Sequence, residues 1–90
     1  MAALDLMGRR WALRVLWELR TGAHTFRSLR TACEGISPAV LNSRLRELRE
    51  AGLIERTDAG YGLTAIGHEM GAALGSLESW SRRWARSLDA

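Results

Sequence analysis

Three features of the sequence predict a mainly α-helical domain carrying one small β-hairpin. Two helical segments meet at a Gly-containing turn mid-chain, two strand-length segments follow at once, and long amphipathic segments stand at both ends. Ninety residues make one domain, and 47% hydrophobic residues are enough for a core. A chain this small buries only about 60% of its unfolded surface, so a partner chain would help it. Charge is mixed, there is one Pro, and like charges never run beyond two residues, which argues against disorder.

Residues 4–21 are expected to form the first helix, with no Gly or Pro after Gly8. Leu4, Trp11, Val15 and Leu19 make one apolar stripe, and Leu6, Leu13 and Trp17 make a second on roughly the opposite side. A helix apolar on both sides is sandwiched between two bodies, here its own core and a second subunit. Gly22 ends it where a left-handed turn is wanted. Thr25 is the expected N-cap of a short helix from Phe26 to about Cys33, with Phe26, Leu29 and Cys33 on one face.

Glu34-Gly35-Ile36 is a tight connection, and Ser37-Pro38 then supply an N-cap and a first helical residue. Pro suits that position because its missing N–H has no intrahelical role there. This helix runs to Ala51 and stops at Gly52. Helix, short turn, longer helix is the pattern of a helix-turn-helix. Residues 53–56 and 61–63 read as two short strands around the turn Thr57-Asp58-Ala59-Gly60. A hairpin directly after a recognition helix makes a winged helix-turn-helix.

Thr64 is the expected N-cap of a last helix from Ala65 to about Leu88. Its stripe of Ile66, Met70, Ala73, Leu74, Leu77, Trp84 and Leu88, with Trp80 at the edge, is too long for so small a core to cover. The first and last helices are therefore expected to form a dimer interface. Gly67, Gly71, Gly75 and Ser79 fall four apart, a row that suits close approach of another helix backbone. The domain divides into 1–22 (first helix, dimerisation), 25–52 (helix-turn-helix), 53–63 (wing) and 64–90 (C-terminal dimerisation helix).

All 13 basic residues are Arg, and the net charge is +3, the sign that suits a polyanion. The single Cys33 forms no internal disulfide and continues the Phe26–Leu29 stripe, as a buried hydrophobe would. His24 and His68 have no partner at ligand spacing, so no metal or other cofactor is expected. No nucleophile–base pair or phosphate loop points to an enzyme. The longest apolar run is far short of a membrane span, and the N-terminus lacks a signal-peptide pattern. A cytoplasmic protein, nucleoid-associated when bound to DNA, is expected.

The sequence resembles the HxlR-type family of winged-helix transcriptional regulators, relatives of the MarR type. The resemblance rests on Gly8-Arg9-Arg10-Trp11, Thr25-Phe26-Arg27-Ser28-Leu29, Gly35-Ile36-Ser37 and the block Leu41-Asn42-Ser43-Arg44-Leu45-Arg46-Glu47-Leu48. It continues through Gly52-Leu53-Ile54-Glu55-Arg56, Leu63-Thr64-Ala65-Ile66-Gly67, and Leu77 with Trp80. It implies a bacterial homodimer, more often a repressor, that binds a palindromic operator with the third helix in the major groove. Two departures stand out. The wing tip is short for the family, and no Cys stands ahead of the first helix, so an oxidant-sensing thiol is not carried over.

On the third helix Leu41, Leu45 and Leu48 share the inward face, leaving Ala39, Asn42, Ser43 and Arg46 outward, with Glu50 a turn further on. Asn suits adenine and Arg suits guanine, so these four residues are the expected base readers. Thr25, Arg27, Arg30, Ser37, Arg44 and Arg49, with Arg56 and Thr57 at the wing, suit phosphate contacts. Leu6, Leu13, Trp17, Leu74, Leu77, Trp80, Trp84 and Leu88 are the expected dimer seam. All four Trp lie in the two dimerisation helices; they fill the seam or, alternatively, wall a site for a small aromatic effector. The function that follows is sequence-specific binding of double-stranded DNA to regulate transcription. The alternative is a winged-helix protein–protein module without DNA readout, which would show apolar side chains on the Asn42–Arg46 face.

Overall fold

Local capping sets where three of the helices begin. The computed structural model describes residues 9–89, and its helices are α1 (Ala12–Leu19), α2 (Phe26–Ala32), α3 (Pro38–Glu50) and α4 (Ala65–Leu88). The Thr25, Ser37 and Thr64 hydroxyls accept from the N–H groups of Ser28, Val40 and Gly67 respectively, each at 3.1 Å. Each cap satisfies one of the four donors that a helix start leaves unpaired. Helix α3 ends in a Schellman motif: Gly52 takes φ 76°, its N–H reaches the Arg49 carbonyl, and the Leu53 N–H reaches the Leu48 carbonyl.

The first helix differs from expectation. Trp11 adopts a left-handed φ of 78°, so α1 starts at Ala12 and residues 9–11 form a turn rather than a continuing helix. A bulky residue in that region costs on the order of 1–3 kcal/mol and persists only when its surroundings hold it there. Here Trp11 packs partly buried against the core, and the Arg10 guanidinium stands 5.8 Å from its ring centroid. The expected stripe positions Leu4 and Leu6 lie outside the described residues. Leu16, absent from either expected stripe, is fully buried beside Ala12, Val15 and Leu19. Gly22 follows the helix as expected but at φ 155°, nearer extended than a left-handed cap.

Strands β1 (Ile54–Thr57) and β2 (Gly60–Leu63) pair antiparallel with Ile54 opposite Leu63 and Thr57 opposite Gly60. The turn is therefore Asp58-Ala59 alone, tighter than the four residues expected. A further rung, which no local pattern signals, joins His24 to Tyr61, with N–H to carbonyl bonds of 3.0 and 2.7 Å in the two directions. This rung ties the wing to the loop ahead of α2.

The core lies where α1 crosses α3, α4 and the hairpin. Leu16, Leu29, Leu41, Leu45 and Leu48 are among its largest fully buried members, each worth roughly 1.5–3 kcal/mol of burial. In the glycine row on α4, Gly67 has a cause within the chain that the spacing does not predict. A Cβ at Gly67 would collide with the Leu53 carbonyl oxygen, Gly71 meets the Arg20 Cβ and Leu63, and Gly75 faces open space. The close approach is thus to the start of the wing within the same chain. Leu74, expected in the dimer seam, is 8% exposed and belongs mostly to the core.

Candidate nucleic-acid interface

Because Leu41, Leu45 and Leu48 anchor α3 inward, the opposite face is set by helical geometry. Ala39, Asn42, Arg46 and Glu50 are exposed on it, and Ser43 is half-buried at its edge. Arg46 and Glu50, although four apart, form no ion pair, so the guanidinium stands clear. Among the described residues Arg27, Arg46 and Arg49 have no ion-pair partner. Arg46 and Arg49 from α3 and Arg56 from β1 line a groove between helix and wing, together with Glu50 and Glu55.

The other expected contacts have local duties as well. Thr25 and Ser37 accept their capping bonds through oxygen, which leaves each hydroxyl proton available to an anion. The Arg30 Nε donates to the Ile36 carbonyl at 3.3 Å, while the residue as a whole stays exposed. Arg56 lies over the Tyr61 ring at 5.0 Å. The Thr57 hydroxyl donates to the Gly60 carbonyl and accepts from Ala59 N–H, so its hydrogen bonds go to closing the wing tip. Arg44 is also committed: its side chain is 16% exposed and one terminal nitrogen lies 2.7 Å from both oxygens of Glu47. The i, i+3 spacing of the two residues carries that signal in the sequence. The approach of Arg9 to the same carboxylate, at 3.4 Å, carries none.

Away from this face, α1 and α4 present a shallow apolar groove lined by Leu13, Trp17, Leu74 and Leu77. The Arg20 guanidinium covers Trp17 at 3.7 Å from the ring centroid. Farther along α4, Leu77, Trp80, Trp84 and Leu88 are each at least half exposed, and the two Trp rings stack 5.9 Å apart at 4°. Leu6 lies outside the described residues. Cys33 is fully buried, and burial first, then the Glu18 charge, push its thiol pKa up against the smaller pull of Arg14. A thiol held protonated in this way is a packing residue rather than a nucleophile. His24 hydrogen-bonds Ser28, and among the described residues no group of three His, Cys, Asp or Glu side chains gathers as metal ligands. None of the described helices is long and apolar enough to cross a membrane.

The model of the HxlR-like helix-turn-helix family matches residues 6–89. The chain belongs to the HxlR-like helix-turn-helix family. It is similar to YvaP of Bacillus subtilis, an uncharacterized HTH-type transcriptional regulator, at 28% identity over 91% of this chain and 82% of the relative. Among solved structures it resembles quinone-bound YodB from B. subtilis, with a TM-score of 0.83 and 28% identity over 91% and 93% of the two chains. A MarR-family transcriptional regulator from Enterococcus faecalis V583 gives a TM-score of 0.83 and 32% identity over 96% and 84%. This HxlR-like chain is a transcriptional regulator built on a winged helix-turn-helix. In it α3 is the second helix of the helix-turn-helix and the β1–β2 hairpin is the wing, the wing being held to the body through His24.

Proposed function

We propose that this HxlR-like chain binds double-stranded DNA sequence-specifically as a homodimer and represses transcription at a palindromic operator. The observation that carries the reading is the outward face of α3, where Asn42 and Arg46 stand exposed beside Ala39 and Ser43, and Arg46 has no ion-pair partner among the described residues. Asn42 and Arg46 would read adenine and guanine edges, with Ser43 as an adaptable donor and Ala39 small enough to admit the base edge. Arg27, Arg30, Arg49 and Arg56, with the Thr25 and Ser37 hydroxyls, would set the register on phosphates. A protein-docking module would be expected to show apolar groups on this face, and the exposed apolar groups stand on α4 instead.

The dimer reading rests on that α4 surface. Leu77, Trp80, Trp84 and Leu88 together with Leu13 and Trp17 form an apolar area that a second copy, with Leu6, would cover. The parallel Trp80–Trp84 pair supports a flat apolar effector at the seam, and the quinone bound by the similar YodB is one such molecule. Control follows if the ligand prefers one spacing of the two recognition helices. Selection of sites from random duplex DNA tests the main reading: recovered inverted repeats one helical turn apart, roughly 34–36 Å, support it, and recovery of no preferred sequence refutes it.

A further inference from the structure

The cluster of Glu47, Arg44 and Arg9 stands outside the base-reading face yet at its margin. Glu47 falls four residues after Ser43 and three before Glu50, so its carboxylate borders the surface that would meet a backbone strand. One terminal nitrogen of Arg44 lies 2.7 Å from both Glu47 oxygens, and the Arg9 Nε lies 3.4 Å from one of them. The Arg44 Nε is buried with no acceptor among the described residues, so this guanidinium is incompletely satisfied where it sits. Arg9 is 58% exposed along its side chain. It is brought over α3 by the left-handed turn at Trp11.

A carboxylate that takes two arginines offers them what a phosphate would. Resting on the reading that α3 faces DNA, we propose that Glu47 is a built-in phosphate surrogate. It holds Arg44 and Arg9 in an internal ion cluster and so limits the number of backbone contacts the recognition helix makes. The consequence is low non-specific affinity: base readout by Asn42 and Arg46 then has to carry more of the binding. Removing the charge would release one or both arginines to the backbone. A merely structural Arg44–Glu47 staple would instead alter stability and leave the salt dependence of binding untouched.

The test is the salt dependence of binding to a duplex of arbitrary sequence. Wild type and the variants Glu47→Gln, Arg44→Gln and Arg44→Gln/Glu47→Gln are compared, with folding checked by circular dichroism. Each additional arginine on a phosphate steepens the slope of log K against log salt by about 0.9, roughly a threefold change in relative affinity between 50 and 200 mM salt. Glu47→Gln is expected to bind more tightly at low salt with a slope steeper by that amount or twice it, and the double variant to lose one such step. Arg44→Gln alone is expected to leave the slope unchanged, because in the wild type Arg44 touches no phosphate. A Glu47→Gln slope equal to wild type, or a flattened Arg44→Gln slope, overturns the proposal while leaving DNA binding intact. A flattened Arg44→Gln slope overturns the proposal even if Glu47→Gln does not fold; in that case Glu47→Ala takes its place, its slope being expected to steepen by the same step and a slope equal to wild type overturning the proposal. Wild-type protein that binds no duplex at any salt overturns the underlying reading, and the proposal with it.

Discussion

Gly67 and Gly75 share one row of α4 but should respond to alanine in opposite ways. Replacing an interior helical Gly by Ala gains about 1 kcal/mol from backbone entropy when the methyl group has room. At Gly75 nothing stands within 4 Å of the new Cβ, so Gly75→Ala should stabilise by about that amount. At Gly67 the Cβ meets the Leu53 carbonyl oxygen, which is itself fixed by the Thr64 N–H at 3.0 Å. Relieving the clash requires moving backbone, which puts the cost in the upper part of the roughly 1–3 kcal/mol range for overpacking. The helical gain offsets part of that, leaving Gly67→Ala destabilised by about 1–2 kcal/mol. Urea unfolding at one fixed protein concentration measures both, the fixed concentration being needed because association would add to apparent stability. A change of about 1 kcal/mol corresponds to roughly 4–8 °C in Tm for a domain of this size. Gly67→Ala as stable as wild type would refute the intrachain contact as the reason for glycine there. A destabilised Gly75→Ala would show that a partner helix fills the space that is open in the isolated chain.

Other outcomes follow from the candidate interface. Asn42→Ala and Arg46→Ala should each cost about 1–3 kcal/mol on the selected site and relax its sequence preference, whereas Arg27→Ala should weaken binding to all sequences and flatten the salt slope by about 0.9; unchanged specificity in both α3 variants, measured by fluorescence anisotropy, would sink the docking geometry. Leu77→Glu would place an unpaired charge in the proposed seam and should yield monomers by light scattering, and a wild-type chain that is already monomeric at micromolar concentration would remove the seam. Burial holds the Cys33 thiol above its ordinary value of 9.0, so its contribution to stability is complete below that pH and is lost as pH rises through the folded value. The stability difference between wild type and Cys33→Ala should therefore be flat up to about pH 9 and narrow above it; a difference independent of pH to about 11 would contradict the burial.

The chemistry that was legible in the sequence is local. Thr25, Ser37-Pro38 and Thr64 mark helix starts because a hydroxyl reaches an N–H three residues on, whatever the rest of the chain does. Gly52 marks an end because it takes the left-handed φ that closes the last turn, and Leu41, Leu45 and Leu48 orient α3 by spacing alone, which leaves Asn42 and Arg46 outward. The tertiary structure decided what depends on residues distant in the chain. Trp11 can leave the helix only because the core and Arg10 hold its ring, and that turn delivers Arg9 to Glu47, two elements further along the chain. The bond from His24 to Tyr61 and the seat of Gly67 on Leu53 likewise join segments that share no periodicity. Arg44 has the composition of a phosphate ligand and the position of one, yet its guanidinium is held by a carboxylate. Periodicity assigns a side chain to a face of its helix; which neighbour takes its charge is set by the packing of that face against the rest of the fold.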